Sequence, residues 1–110
     1  MLPNVRKLLL DIVLACSEVE TFCAGKDLGS FRTDRLLQLA LERQFEIIGE
    51  ALARLERVDA GDLARKIPEY RKIIGFRNLL AHGYDTIDDE ALWDFAVNRV
   101  PELRAKVERY

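Results

Sequence analysis

The stretch "LLQLALERQFEIIGEALARLER", residues 36–57, decides the fold. Leu37, Leu41, Phe45, Ile48, Leu52 and Leu55 recur at three- and four-residue steps, the period of a helix that buries one stripe. Leu36, Ala40, Ile47 and Ala51 flank that stripe and widen it, so a helix expected from about Thr33 to Arg57 must meet more than one neighbour. Gly49 in its interior costs about 1 kcal/mol relative to Ala. Close approach of another helix backbone is the expected reason for it.

Towards the N-terminus, Val5, Leu9, Ile12, Cys16, Val19 and Phe22/Cys23 form a second seam of the same period, with Leu8 and Val13 beside it. Pro3 suits the first turn of that helix, which should run to Ala24, and Gly25 and Gly29 should bracket a short loop. Beyond Arg57, Asp59, Gly61 and Asp62 read as a turn with one helical turn before Pro68. A further helix is expected from Pro68 to about Ala81, with Tyr70, Ile73 and Leu80 facing the core. Asp88 is the expected N-cap of the next, with Ile87 and Leu92 as a hydrophobic staple. Leu92, Trp93, Phe95 and Ala96 should point inward there. Pro101 should kink or break that helix near Val100, leaving Leu103, Val107 and Tyr110 on a last short segment. No alternating strand pattern and no repeat occurs. The expectation is therefore all-α: an antiparallel four- to five-helix bundle, one domain over residues 1–110.

Composition bounds the function. With 110 residues, 49% apolar, the chain can bury one core but not two. Seventeen basic against nineteen acidic residues give a net charge of −2, which excludes a broadly basic coat for nucleic acid and leaves only a local patch. Arg65, Lys66, Arg71 and Lys72, with Arg77, set five positive charges against Glu69 within thirteen residues, enough to grip a phosphate backbone or simply to form a solvated face. One His and two Cys exclude a zinc site of four Cys/His ligands, and neither metal nor other cofactor is expected. Cys16 and Cys23 lie about 10.5 Å apart along one helix, too far for a disulfide. They read as reduced core thiols of a cytoplasmic protein. No signal peptide and no apolar run of about 20 residues is present, so a soluble protein without a membrane partner is expected.

The chemistry concentrates in "FRNLLAHGYD", residues 76–85. Arg77 occupies a slot of the Tyr70–Ile73–Leu80 stripe where an apolar residue belongs, and a guanidinium there needs a partner or a pocket. Glu46 and Glu50 of the preceding helix are natural partners, although Arg43 and Arg54 are equally well spaced to satisfy them. His82, the only imidazole, precedes Gly83. One account makes Gly83 a left-handed C-cap and His82 a cation favoured by the helix dipole. The other gathers Arg77, Asn78, His82 and Tyr84 at one helix end. A cation for a phosphate, an amide to orient it and an imidazole titrating near neutrality suffice for metal-free RNA cleavage, with the ribose 2′-hydroxyl as nucleophile. Asp85, Asp88, Asp89 and Glu90 beyond them favour the N-terminus of the next helix.

The motif Arg77…His82-Gly83-Tyr84 resembles that of the HEPN superfamily. Its surroundings, "IIGFRNLLAHGYDTID" over residues 73–88, resemble the HepT-like branch, ribonuclease toxins encoded beside minimal nucleotidyltransferase antitoxins. "LERQFEIIGEALARL" at 41–55 is similar to that family's second helix, and the Trp93 region followed by Val100-Pro101-Glu102-Leu103 is a third similar block. The resemblance implies an all-helical homodimer whose two motif segments face each other across a cleft. It implies that Arg77 and His82 are the RNase residues and that Asn78 is the polar residue that commonly follows the arginine. Tyr84 would be the acceptor that the nucleotidyltransferase partner AMPylates to silence the toxin. A dimer would also bring a second His82 opposite the first, supplying both a proton acceptor and a proton donor. The alternative is a non-catalytic helical subunit that binds and positions a nucleotidyltransferase or its nucleotide. No base-reading motif selects a particular RNA.

Overall fold

Pro3 opens the first helix, α1 (Pro3–Cys23), where its missing N–H costs nothing. Val5, Leu9, Ile12, Ala15, Cys16 and Val19 are its buried residues. The helix ends as expected: Lys26 N donates to the Cys23 carbonyl at 3.0 Å, and Gly25 takes a φ of 73°. The computed structural model describes residues 2–82 and 88–110, with side chains described for residues 2–76 and 88–110.

The expected Gly25–Gly29 loop instead leads into a six-residue helix, α2 (Leu28–Thr33). Its start is a reciprocal cap: Ser30 N donates to Asp27 Oδ1 at 2.8 Å, and Asp27 N donates to Ser30 Oγ at 2.9 Å. Phe31 anchors it, 1% exposed, against Trp93 with ring centroids 5.5 Å apart. So short a helix shows no period, and only tertiary burial of Phe31 selects it.

Asp34 caps the long helix α3 (Arg35–Lys66), accepting from Leu37 N at 3.0 Å. The six stripe residues read from the sequence are all buried, as are Gly49 and Ala51. The expected turn after Arg57 is a kink at Asp59 (φ −151°, ψ 41°), and the helix then resumes to Lys66. Leu63 and Ile67, both fully buried, hold this continuation on the core. Tyr110 clamps the kink: its hydroxyl donates to Asp59 Oδ2 at 2.7 Å while its carbonyl accepts from Lys66 Nζ at 2.7 Å. Burial, then Asp59, pushes the Tyr110 phenol well above its usual range.

Leu2 and Val5 share a hollow with Asp59 and Asp62, whereas Leu8 and Asp11 share a groove with Glu46, Glu50 and Arg54. α1 and α3 therefore run antiparallel. α4 (Tyr70–His82) packs on α3. Asp88 caps α5 (Asp89–Asp94) by accepting from Glu90 N at 2.9 Å, with Asp89 and Glu90 in the first turn as their charge predicts. Ile87, the other half of the expected staple, lies outside the described residues.

Pro101 does not break the chain that follows. A π-helical turn, Phe95–Arg99, leads directly into α6 (Val100–Glu108). Val100 N–H reaches back five residues to the Phe95 carbonyl, so the backbone widens by one residue just before the proline that lacks a donor. α6 lies along α1, and Arg104 pairs with both Glu20 and Glu108. Leu92, Phe95 and Ala96 are buried as expected, whereas Trp93 is half-buried. Among the described residues there is no strand, no buried polar side chain and no helix long and apolar enough to cross a membrane. The fold is an all-α helical bundle.

Candidate functional site

Local signals place α4. Tyr70 and Ile73, 4% and 8% exposed, turn one face to the core, and Tyr70 N and Ile73 N donate to the Ile67 and Glu69 carbonyls. Tyr70 Oη donates to Glu56 Oε2 at 2.6 Å, tying the helix to α3 just before the kink. That bond, then Arg71, holds the Glu56 carboxyl below its usual range. Phe76 stacks on Phe95 (centroids 4.6 Å) and meets Phe45 edge-on at 5.8 Å, so α3, α4 and the π-turn converge on one aromatic cluster.

Arg77, Asn78 and His82 all lie on α4, which extends through His82. Five residues of helix separate Arg77 from His82, a rise of about 7.5 Å. Their side chains, and Gly83 and Tyr84, lie outside the described residues. Glu46 and Glu50, expected either to receive Arg77 or to pair locally, do make the local pairs: Glu46 with Arg43 at 3.5 Å and Glu50 with Arg54 at 2.9 Å.

The four candidate phosphate contacts do not share one environment. Arg65 pairs with Asp62, and Lys66 lies over the Tyr110 ring at 4.4 Å while donating to that residue's carbonyl. Arg71 is engaged with Tyr70 Oη at 3.1 Å and Glu56 at 3.4 Å. Lys72 differs from these three in lining a cavity of about 570 Å³ between α4, the π-turn and α6, formed with Glu69, Ile73, Phe76, Phe95, Arg99, Glu102 and Lys106. Lys106 donates to Glu69 at 2.6 Å, and Arg99 meets Glu102 at 3.5 Å. Burial pushes the Glu69 carboxyl up, but Lys106 and the residue's own backbone N–H outweigh it, so it titrates below its usual range.

Arg99 and Lys106 were not legible as partners of Lys72. They sit seven residues apart with Glu102 between, a spacing that by itself marks only a charged helix face, and no sequence period discloses the π-turn that orients them. Cys16 and Cys23 are free thiols. Burial, then Glu20, pushes Cys16 up to about 12, and burial pushes Cys23 up to about 11, so neither is primed as a nucleophile.

The family model for "Ribonuclease HepT-like" proteins matches residues 12–110. A Methanocaldococcus jannaschii protein provisionally named an RNase is 32% identical over 107 residues, covering 96% of this chain and 94% of its own. A Thermococcus cleftensis protein provisionally named ribonuclease HepT is 32% identical over 103 residues, covering 92% of this chain and 90% of its own. A second M. jannaschii protein with a provisional RNase name is 30% identical, covering 96% and 85%. No solved structure matches.

Proposed function

The chain belongs to the HepT-like ribonuclease family, and from that premise we propose that it is a metal-independent ribonuclease toxin whose chemistry rests on Arg77 and His82. The observation that carries this reading is that the family match spans the helix on which both residues lie, five positions apart. The ribose 2′-oxygen attacks the adjacent phosphorus; its bond to phosphorus forms as the bond to the 5′-oxygen breaks. His82 takes the 2′-hydroxyl proton or delivers one to the leaving 5′-oxygen, and Arg77 balances the charge that builds on the phosphoryl oxygens. Asn78 orients that phosphate.

One imidazole cannot be base and acid in the same step, so the working unit is a homodimer with His82 of each protomer facing one phosphate. In that dimer, Glu46 and Glu50 stay with their local arginines or exchange them for Arg77. A minimal nucleotidyltransferase antitoxin AMPylates Tyr84, moving adenylate from ATP to the tyrosine hydroxyl with release of pyrophosphate. Two residues from His82, the adduct fills the cleft and repels RNA phosphates by charge.

The test is cleavage of RNA by purified protein in the presence of a chelator. Wild type is expected to cut, and His82→Ala and Arg77→Ala are each expected not to. Activity that survives both substitutions, or never arises in wild type, leaves the chain as a helical subunit that positions a nucleotidyltransferase.

A further inference from the structure

We infer that the cavity between α4, the π-turn and α6 is a nucleotide subsite, which takes up one nucleotide of a single RNA strand beside the cleaved bond. It rests on the nuclease reading above for the strand it serves, but not for its own chemistry. Ile73 and Phe95, 8% and 9% exposed, form an apolar floor with the half-buried Phe76. Lys72, Arg99 and Lys106 stand around it against Glu69 and Glu102, leaving an excess of one positive charge. A nucleotide couples a flat apolar ring to an anion, and this cavity couples an apolar floor to cations.

The cations differ in availability. Lys106 is engaged with Glu69 at 2.6 Å, and Arg99 touches Glu102 only at 3.5 Å. The Lys72 ammonium, by contrast, makes no ion pair or hydrogen bond with a described residue, only the backbone N–H donating to the Glu69 carbonyl at 3.0 Å. An unpaired ammonium and a loosely held guanidinium at one concave mouth accept a phosphate without breaking a strong pair. The volume, about 570 Å³, lies in the range of small-molecule sites and admits one unpaired base, not a duplex.

Position links the cavity to the reaction. Phe76 immediately precedes Arg77 in the chain, and six residues of helix, about 9 Å, separate it from His82. Neighbouring nucleotides of one strand bridge that distance. The subsite therefore makes the enzyme prefer unpaired RNA and gives it a base preference that no sequence motif announced.

The experiment titrates the full-length chain, isotopically labelled, with AMP, GMP, CMP and UMP, and separately with inorganic phosphate. At least one nucleotide should move the backbone amide signals of residues 72–76 and 95–106 more strongly than phosphate does. Lys72→Glu combined with Arg99→Glu should weaken that binding about tenfold and raise KM for single-stranded RNA by a similar factor, with a smaller effect on kcat. His82→Ala should lower cleavage by about 10²- to 10⁴-fold and leave nucleotide affinity as it was. If the protein cuts RNA while no nucleotide moves these amides and the double variant keeps its KM, the subsite is overturned and the nuclease stands. Equal responses to phosphate and nucleotides also overturn it, because the floor then reads no base. If nucleotides bind here and wild type cuts nothing, the subsite stands and the nuclease reading falls.

Discussion

Along the seam between α1 and α3, Ile12, Cys16, Val19, Leu41, Ile48 and Leu52 are fully buried. The charges at its edges pair within their own helices, Lys7 with Asp11 at 2.7 Å and Arg54 with Glu50 at 2.9 Å. The side where α4 meets the π-turn and α6 is built differently. It keeps a cavity of about 570 Å³, a π-turn with one residue inserted, a Lys72 ammonium without a partner among the described residues and an ion pair from α6 to Glu69 just before α4. Hollows of about 350 and 170 Å³ line the α1–α3 side as well, so what sets the α4 side apart is a concavity of about 570 Å³ with an apolar floor and three cations around it, beside the Arg77–His82 segment.

The sharpest way to break that contrast is to separate activity from folding. His82→Ala should lower RNA cleavage by about 10²- to 10⁴-fold, the usual contribution of a general acid or base, with little change in melting temperature. A melting temperature that falls in step with activity would turn the functional side into a second structural core. The rate should also trace a bell against pH, because one imidazole must be neutral while its mate is charged. A flat profile from about pH 5 to 8 would remove His82 as the proton carrier.

Core truncation weighs the two regions directly. Leu52→Ala, deep in the seam, should cost about 2–5 kcal/mol in denaturant unfolding. Ile73→Ala, at the cavity, should fall at the lower end of that range because solvent already reaches the site. Equal costs would erase the difference.

Alkaline pH probes the seam again. Burial, then Glu20, raises the Cys16 thiol from its ordinary 9.0 to about 12, so the neutral form is favoured by folding. Its contribution is complete below pH 9.0 and is lost as pH climbs towards about 12. Cys23 and Tyr110, also raised by folding, lose stability over the same window, so Cys16→Val should flatten part of the decline in unfolding midpoint; an unchanged slope would place the loss with them. The smallest effect belongs to the other side. Glu69→Gln, at a pair whose side chains are about one-third exposed, should cost no more than about 1 kcal/mol and less at high salt.

Much of the bundle was legible because its long helices each bury a stripe. The stripe residues from Val5 to Val19 in α1 and the six of α3 are buried, but Phe22 and Cys23 are only half-buried. Leu36, expected to widen the α3 stripe, is 78% exposed because it lies in the first turn, beyond the neighbouring helices. Pro3, Gly25 and Asp88 mark helix ends as their chemistry predicts. The errors fell where length or backbone geometry, rather than period, decides. α2 is too short for a stripe, and its cap signal Asp27–Ser30 went unread. The Asp59 turn is a kink because Leu63 and Ile67 bury the next helical turn. Pro101 predicts a break only if the backbone cannot widen, and the π-turn widens it. Arg77 and His82 are candidates from residue type and spacing alone, whereas Arg99 and Lys106 join Lys72 only because the π-turn and α6 lie across one hollow from α4.

By itself the sequence determined the helices, their buried faces and the cation and imidazole on one of them, since each is a matter of spacing along a single helix. Only the tertiary structure decided that Lys72, Arg99 and Lys106 surround one apolar hollow and that, among the described residues, the Lys72 ammonium has no partner there while Arg65, Lys66 and Arg71 do. The physical reason is range. A helical period is written within a few residues, but a cavity and its unpaired charge are properties of surfaces that meet only when the chain has folded.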